Sequence, residues 1–197
     1  GGKTGALMGQ TAASRYHFER ADLMQMDLLS SSSPAASVAA TRRKQHFDAG
    51  ESSEWYTPEP YIEAARLSMG GIDLDPASCM LANQVVRAAR FFTKASDYPG
   101  QAASWAARLL AEHTAGRASQ AVMLVNLSTS YQPAMQQVAS AGLVCMVAHR
   151  IRFNTPAGQG QRPTQANVIY YLGERRRQFA EAFSQFGVVL QAAGYGR

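Results

Sequence analysis

Asp73-Leu74-Asp75-Pro76-Ala77-Ser78 sets two carboxylates and then two small residues at the end of a short apolar run. At the carboxyl end of a strand, such a carboxylate accepts from an amino group or a ribose hydroxyl, and Ala77 and Ser78 let a ligand approach the backbone. The same residues also fit a proline-led turn in which Asp75 caps the next helix. Asn126-Leu127-Ser128-Thr129 follows a second apolar run and offers hydrogen bonds to a polar ligand, or equally an N-cap. Trp55, Tyr56, Thr57 and Pro58 put paired aromatics ahead of a helix, where they either stack on a purine or staple the helix to the core. Arg150 and Arg152 alternate with Ile151 and Phe153, so one face of an extended segment carries both guanidiniums; Arg162 follows in a Gly/Gln/Pro loop. Charge in that setting suits a phosphate-binding edge.

Other chemistry is weaker. His17, His46, His113 and His149 lie far apart without partners at metal-ligand spacing, so no metal site is expected. Cys79 and Cys145 sit among apolar neighbours and read as core residues. Gly2-Lys3-Thr4 imitates the end of a phosphate loop but lacks the strand and first glycine that the loop requires.

The elements that must position these residues follow from periodicity. Residues 59–69 repeat apolar side chains at helical spacing (Ile62, Ala65, Met69) after Pro58, and Gly70-Gly71 stops the helix. Ile72–Leu74 is a predicted short strand. One or two helical turns span 77–83, and a helix spans 102–113 with Trp105, Leu109 and Leu110 inward. Residues 121–125 (AVMLV) form an uninterrupted apolar strand, as in a parallel sheet covered on both faces. A helix over 133–141, strands over 143–147, 150–153 and 168–172, a helix over 175–186 and a strand over 188–190 complete the order. The alternation predicts an α/β fold with a mostly parallel sheet ending in an antiparallel portion.

The first 53 residues read as an N-terminal extension with a Ser/Ala-rich linker (30–41), a short helix over 16–29 and a basic cluster at 42–44, ahead of a domain spanning 54–197. A chain of 197 residues is long enough for one full domain. No stretch approaches the roughly 20 apolar residues of a membrane span, and Gly1 to Thr4 shows no secretory pattern. Two cysteines make no disulfide framework, which points to a reducing cytoplasm. Net charge +5 suits a phosphate-bearing partner.

Together, EWYTP (54–58), GGIDLDPASC (70–79), ANQVVRAARFFTK (82–94), LVNLSTS (124–130), RIRF (150–153) and YYLG (170–173) stand in the order seen in phage-type, Dam-like DNA N6-adenine methyltransferases, which this chain resembles from about Glu54 to Leu190. The resemblance implies a Rossmann-like, S-adenosylmethionine-dependent fold that methylates adenine in double-stranded DNA. Asp75, Pro76, Ala77 and Ser78 match the first cofactor motif, with the acidic residue receiving the methionine amino group and Asp73 beside it. Trp55 to Pro58 match the segment that closes over the cofactor, and Asn126 would line the pocket. Arg150, Arg152 and Arg162 are the candidate DNA contacts. The family's base-flipping chemistry unstacks the adenine and holds its amine in line with the sulfonium methyl.

One departure matters. The family carries an Asn- or Asp-Pro-Pro-Tyr motif after an apolar strand that follows the FFTK segment, where it accepts from the adenine amine and stacks on the base. Here Phe92-Thr93-Lys94-Ala95-Ser96-Asp97-Tyr98-Pro99 runs straight into a helix, and Tyr98 is the candidate remnant of the motif. Either the chain is an inactive methyltransferase-like protein that binds cofactor or DNA, or the active protein has further residues between Asp97 and Tyr98. Loss of a central strand should exceed the roughly 5–15 kcal/mol that keeps a domain folded, which favours the second.

Overall fold

A computed structural model describes residues 5–8, 55–93, 102–156, 158–160 and 165–193. Strands β1 (Gly5–Met8), β2 (Leu74–Asp75), β3 (Arg90–Phe91), β4 (Gln120–Asn126), β5 (Leu143–Val147), β8 (Asn167–Leu172) and β9 (Gly187–Gln191) form a seven-stranded sheet in the order β3-β2-β1-β4-β8-β5-β9. β6 (Asn154–Thr155) and β7 (Gly158–Gln159) make a separate small hairpin. The helices are α1 (Glu59–Met69), α2 (Met80–Val86), α3 (Ala102–Thr114), α4 (Pro133–Ala141) and α5 (Arg176–Phe183). The fold is therefore mixed α/β.

The expectation of a mostly parallel sheet needs correction. β3, β2, β1 and β4 pair in parallel, whereas β8 runs antiparallel to both β4 and β5, and β9 antiparallel to β5. β4 has the predicted two-sided burial, but one neighbour is parallel and the other antiparallel. Side-chain alternation explains its continuous apolar run. Val122 and Leu124 face a core shared with α1 and α5, while Ala121, Met123 and Val125 face α3 and α4.

A chain deleted for the acceptor motif would lack a central strand. The place between β2 and β4 is filled by β1, with Ala6 opposite Leu74 and Met8 opposite Met123. Four residues of the N-terminal segment thus lie in the sheet built mainly from 54–197. The proposed helix over 16–29, the linker 30–41 and the basic cluster 42–44 fall outside the described residues. The short strand predicted at Ile72–Leu74 begins two residues later. Arg150–Phe153 is irregular chain, not a strand, although Ile151 and Phe153 are buried and Arg152 is exposed.

Ring stacking binds the α1/α5 layer to the sheet. Tyr171 of β8 stacks on Phe179 at 4.9 Å, Phe179 on Phe183 at 4.4 Å, and Tyr61 of α1 on Phe186 at 4.2 Å. At the amino end of β4, Gln120 Nε2 donates to the Met69 carbonyl at 2.7 Å, and its Oε1 accepts from the Tyr171 hydroxyl at 3.3 Å. That closes the C-terminus of α1 with a buried polar link. Gly70 ends α1 in the left-handed region (φ 77°), its N–H on the Arg66 carbonyl at 2.7 Å. A Cβ there would collide with the Arg175 guanidinium. Gly70→Ala should cost about 1 kcal/mol from conformation alone, with displacement of Arg175 added; chemical denaturation with an unchanged slope would verify it.

Candidate functional site

β1 and β4 are neighbours whose following connections leave in opposite directions: β1 leads through α1 to β2 and β3, and α3 returns the chain to β4 on the other side. α1 and α3 cover opposite faces. The carboxyl ends of β1 and β4 therefore flank a topological switch point, where open α/β sheets bind ligands. Asp75 ends β2, one strand away.

Asp75 is buried (4% exposed), and its Oδ1 accepts from the Ala77 N–H at 3.1 Å. This is an Asx turn, with the carboxylate holding its own loop rather than capping a helix. Burial pushes the carboxyl up from 3.8 to about 6, and the Ala77 N–H and the Ser78 hydroxyl pull it only partly back. Among the described residues, no cation acts on Asp75. Ser78 is also buried, and its Oγ makes no hydrogen bond of good geometry among the described residues. Pro76 is buried and Ala77 half-buried. The turn is fixed from outside by β3's extension: Phe92 N donates to the Asp75 carbonyl at 3.0 Å, and Ser78 N to the Phe92 carbonyl at 2.9 Å. Asp73, half-buried, accepts from Arg90 N at 2.9 Å through its carbonyl. A cleft of about 400 Å³ opens beside this ladder, lined by Leu74, Ala89, Arg90, Phe91 and Phe92.

Cys79, expected in the core, is half-buried and serves as the N-cap of α2, its Sγ accepting from Ala82 N at 3.4 Å. Its thiol donates to the Tyr56 hydroxyl at 3.7 Å, which ties the Trp55–Pro58 segment to the Asp75 turn. Burial, then the Cys79 contact, raises the Tyr56 phenol above its usual range. Cys145 is the core cysteine, its thiol raised by burial to about 11. Pro58 is the extended residue before α1, its carbonyl accepting from Tyr61 and Ile62; Thr57 is half-buried beside it.

Tyr56 also bridges Asn154 through paired backbone bonds of 2.8 and 2.9 Å. Trp55 packs against the core and against Gly160, where an added Cβ would approach its ring at 2.7 Å. The structure thus joins the aromatic segment to the 150–160 region, which spacing alone did not show. Arg150 and Arg152 are both exposed, two residues apart, immediately before that bridge. Tyr98 and Arg162 lie outside the described residues.

Asn126 ends β4 opposite Asn167 of β8, and its Oδ1 accepts from Asn167 Nδ2 at 3.3 Å. Asn167 is buried (4% exposed) with an Oδ1 that has no partner among the described residues. Sequence reasoning missed it, because a lone Asn at the start of a strand carries no signal. β1 stands between the strands that carry Asp75 and Asn126, so the two do not meet directly.

Among the described residues, no group of three or more His, Cys, Asp and Glu could hold a metal ion, and no helix is long and apolar enough to cross a membrane. Comparison of the chain with protein-family models, curated proteins and solved structures finds no match.

Proposed function

We propose that this protein is a Rossmann-like, S-adenosylmethionine-dependent methyltransferase that acts on the N6 amine of adenine in double-stranded DNA. The observation that carries the reading is the buried Asp75 turn at the carboxyl end of a parallel strand, linked through Cys79 and Tyr56 to the aromatic segment. A buried carboxylate with no cation beside it among the described residues, next to a buried hydroxyl, fits a ligand with an ammonium group. S-adenosylmethionine supplies a methyl group on a cationic sulfur. Asp75 would hold the amino-acid end of the cofactor, with Ser78 beside it and Asp73 at the flank. Trp55, Tyr56, Thr57 and Pro58 would cover it and exclude water. Asn126, at the switch point, would line the pocket. The strand order adds support: one antiparallel strand, β8, separates β4 from β5, which run in the same direction.

DNA binding rests on the net charge and on Arg150 and Arg152, with Arg162 a further candidate. Arg152→Ala is expected to weaken duplex binding and lower the slope of log K against log salt by about one unit. An unchanged slope would remove Arg152 from the interface.

A second reading has its own observation. The sheet position between β2 and β4 is taken by β1, so it leaves no vacancy for a further strand carrying the acceptor motif. On that reading the chain binds cofactor or DNA and transfers nothing, and Tyr98 has no base to stack on. Transfer of labelled methyl to duplex DNA, RNA and protein, run beside calorimetric cofactor binding, separates the possibilities. N6-methyladenine in duplex DNA supports the methyltransferase. Binding without transfer supports the binding protein, and absence of binding overturns both.

A further inference from the structure

Asp75 belongs to an arm of the sheet made of two strands of two residues each, β2 and β3. Its pairing to the rest of the sheet runs through one residue pair, Ala6 with Leu74. On the other side, β1 pairs along all four residues with β4, which is locked into the long β4-β8-β5-β9 ladder. Helix packing also steadies the arm, since Arg66 Nη2 of α1 donates to the Val85 and Val86 carbonyls at 3.0 and 2.8 Å. In the sheet itself, β1 stands between β2 and β4.

We propose that Gly5–Met8 is an inserted strand that holds the Asp75 arm against the sheet, and that its withdrawal loosens that arm while the β4-β8-β5-β9 ladder stays paired. Several features favour reversible insertion. The strand has four residues, and the 46 residues 9–54 separate it from Trp55. Short segments held by few pairings open at lower free energy than the central ladder of a domain. The N-terminal segment thereby becomes a conformational control on the site. The antiparallel half is joined by its own ladder, β8 pairing with β4 over six residues and with β5 over four.

The test uses the full chain and Leu7→Pro, which removes one backbone donor from the centre of the inserted strand. Hydrogen exchange followed by mass spectrometry is read over 5–8, 72–78 and the β4 and β8 peptides. In the wild type, 5–8 should be protected. In Leu7→Pro, protection should fall over 5–8 and 72–78 and persist in β4 and β8. Affinity for S-adenosylmethionine should fall about 100-fold if one molecule in a hundred keeps the strand inserted. A synthetic peptide of wild-type residues 1–12 should restore it. Free-peptide exchange of 5–8 in the wild type overturns the proposal. So does wild-type protection at 72–78 in Leu7→Pro, or loss of protection in β4 and β8 along with it. The affinity arm rests on the cofactor reading above. If the wild type binds no cofactor, that reading fails, and the exchange pattern still decides strand insertion.

Discussion

Asp75→Asn should make the protein more stable at pH 8 and unable to hold a cationic amino group. The carboxyl is buried, and burial places its folded pKa at about 6 against 3.8 for the free group. Between those values the folded state holds a proton that the unfolded state has released. Stability therefore falls as pH rises from about 4 through about 6, and levels off above. The difference of about two pKa units corresponds to roughly 3 kcal/mol held against folding at neutral pH. Asparagine keeps an oxygen for the Ala77 N–H and preserves the Asx turn, while the buried charge disappears. Denaturation at pH 4 and pH 8 checks the sign: the variant should gain stability at pH 8 and differ little from the wild type at pH 4. Calorimetry should show cofactor affinity lost. An ammonium ligand returns Asp75 to its ionised form, so wild-type affinity should also weaken below about pH 6 as protons compete. Equal stability of the two proteins at pH 8 would mean that Asp75 is better solvated than its setting suggests. Unchanged affinity would remove it from the site.

Phe179→Ala should give the largest loss of stability of any single truncation named here, about 3–5 kcal/mol. Phe179 is fully buried and lies between Tyr171 and Phe183 in the stack that joins β8 to α5. Phe183 tilts against Phe186 at 5.9 Å, and Phe186 stacks on Tyr61 of α1. Removing the middle ring opens a cavity that its neighbours fill poorly, because Tyr171 is tethered through its hydroxyl to Gln120 and to the Arg175 N–H at 2.9 Å. Urea denaturation should rank the wild type above Phe179→Leu and that above Phe179→Ala, with a similar slope for all three. Because Pro58 leads directly into α1, loosening this layer should also expose Tyr56 and speed modification of Cys79 by a thiol reagent. A loss below about 1 kcal/mol would show that the rings rearrange to fill the space.

The sequence by itself determined the elements whose patterns are local. β4, β5, β8 and the helices α1 and α4 stand where periodicity and the flanking proline and glycine residues predict them. Their side chains record burial on one stripe or on two faces, and that record needs no knowledge of partners. The Asp75 turn was legible for the same reason: a carboxylate at a strand end followed by Pro-Ala-Ser is a local pattern.

Tertiary structure alone decided three things. It set strand direction, since an apolar strand reads alike beside parallel or antiparallel neighbours, and β4 has one of each. It joined the Tyr56 hydroxyl to Cys79 and the Tyr56 backbone to Asn154, contacts spanning residues far apart in the chain. It also placed Gly5–Met8 at the centre of the sheet. Four small or apolar residues carry too little pattern to announce a strand. What seats them there is pairing with two strands more than 60 residues further along the chain, and a backbone partner leaves no mark on the local sequence.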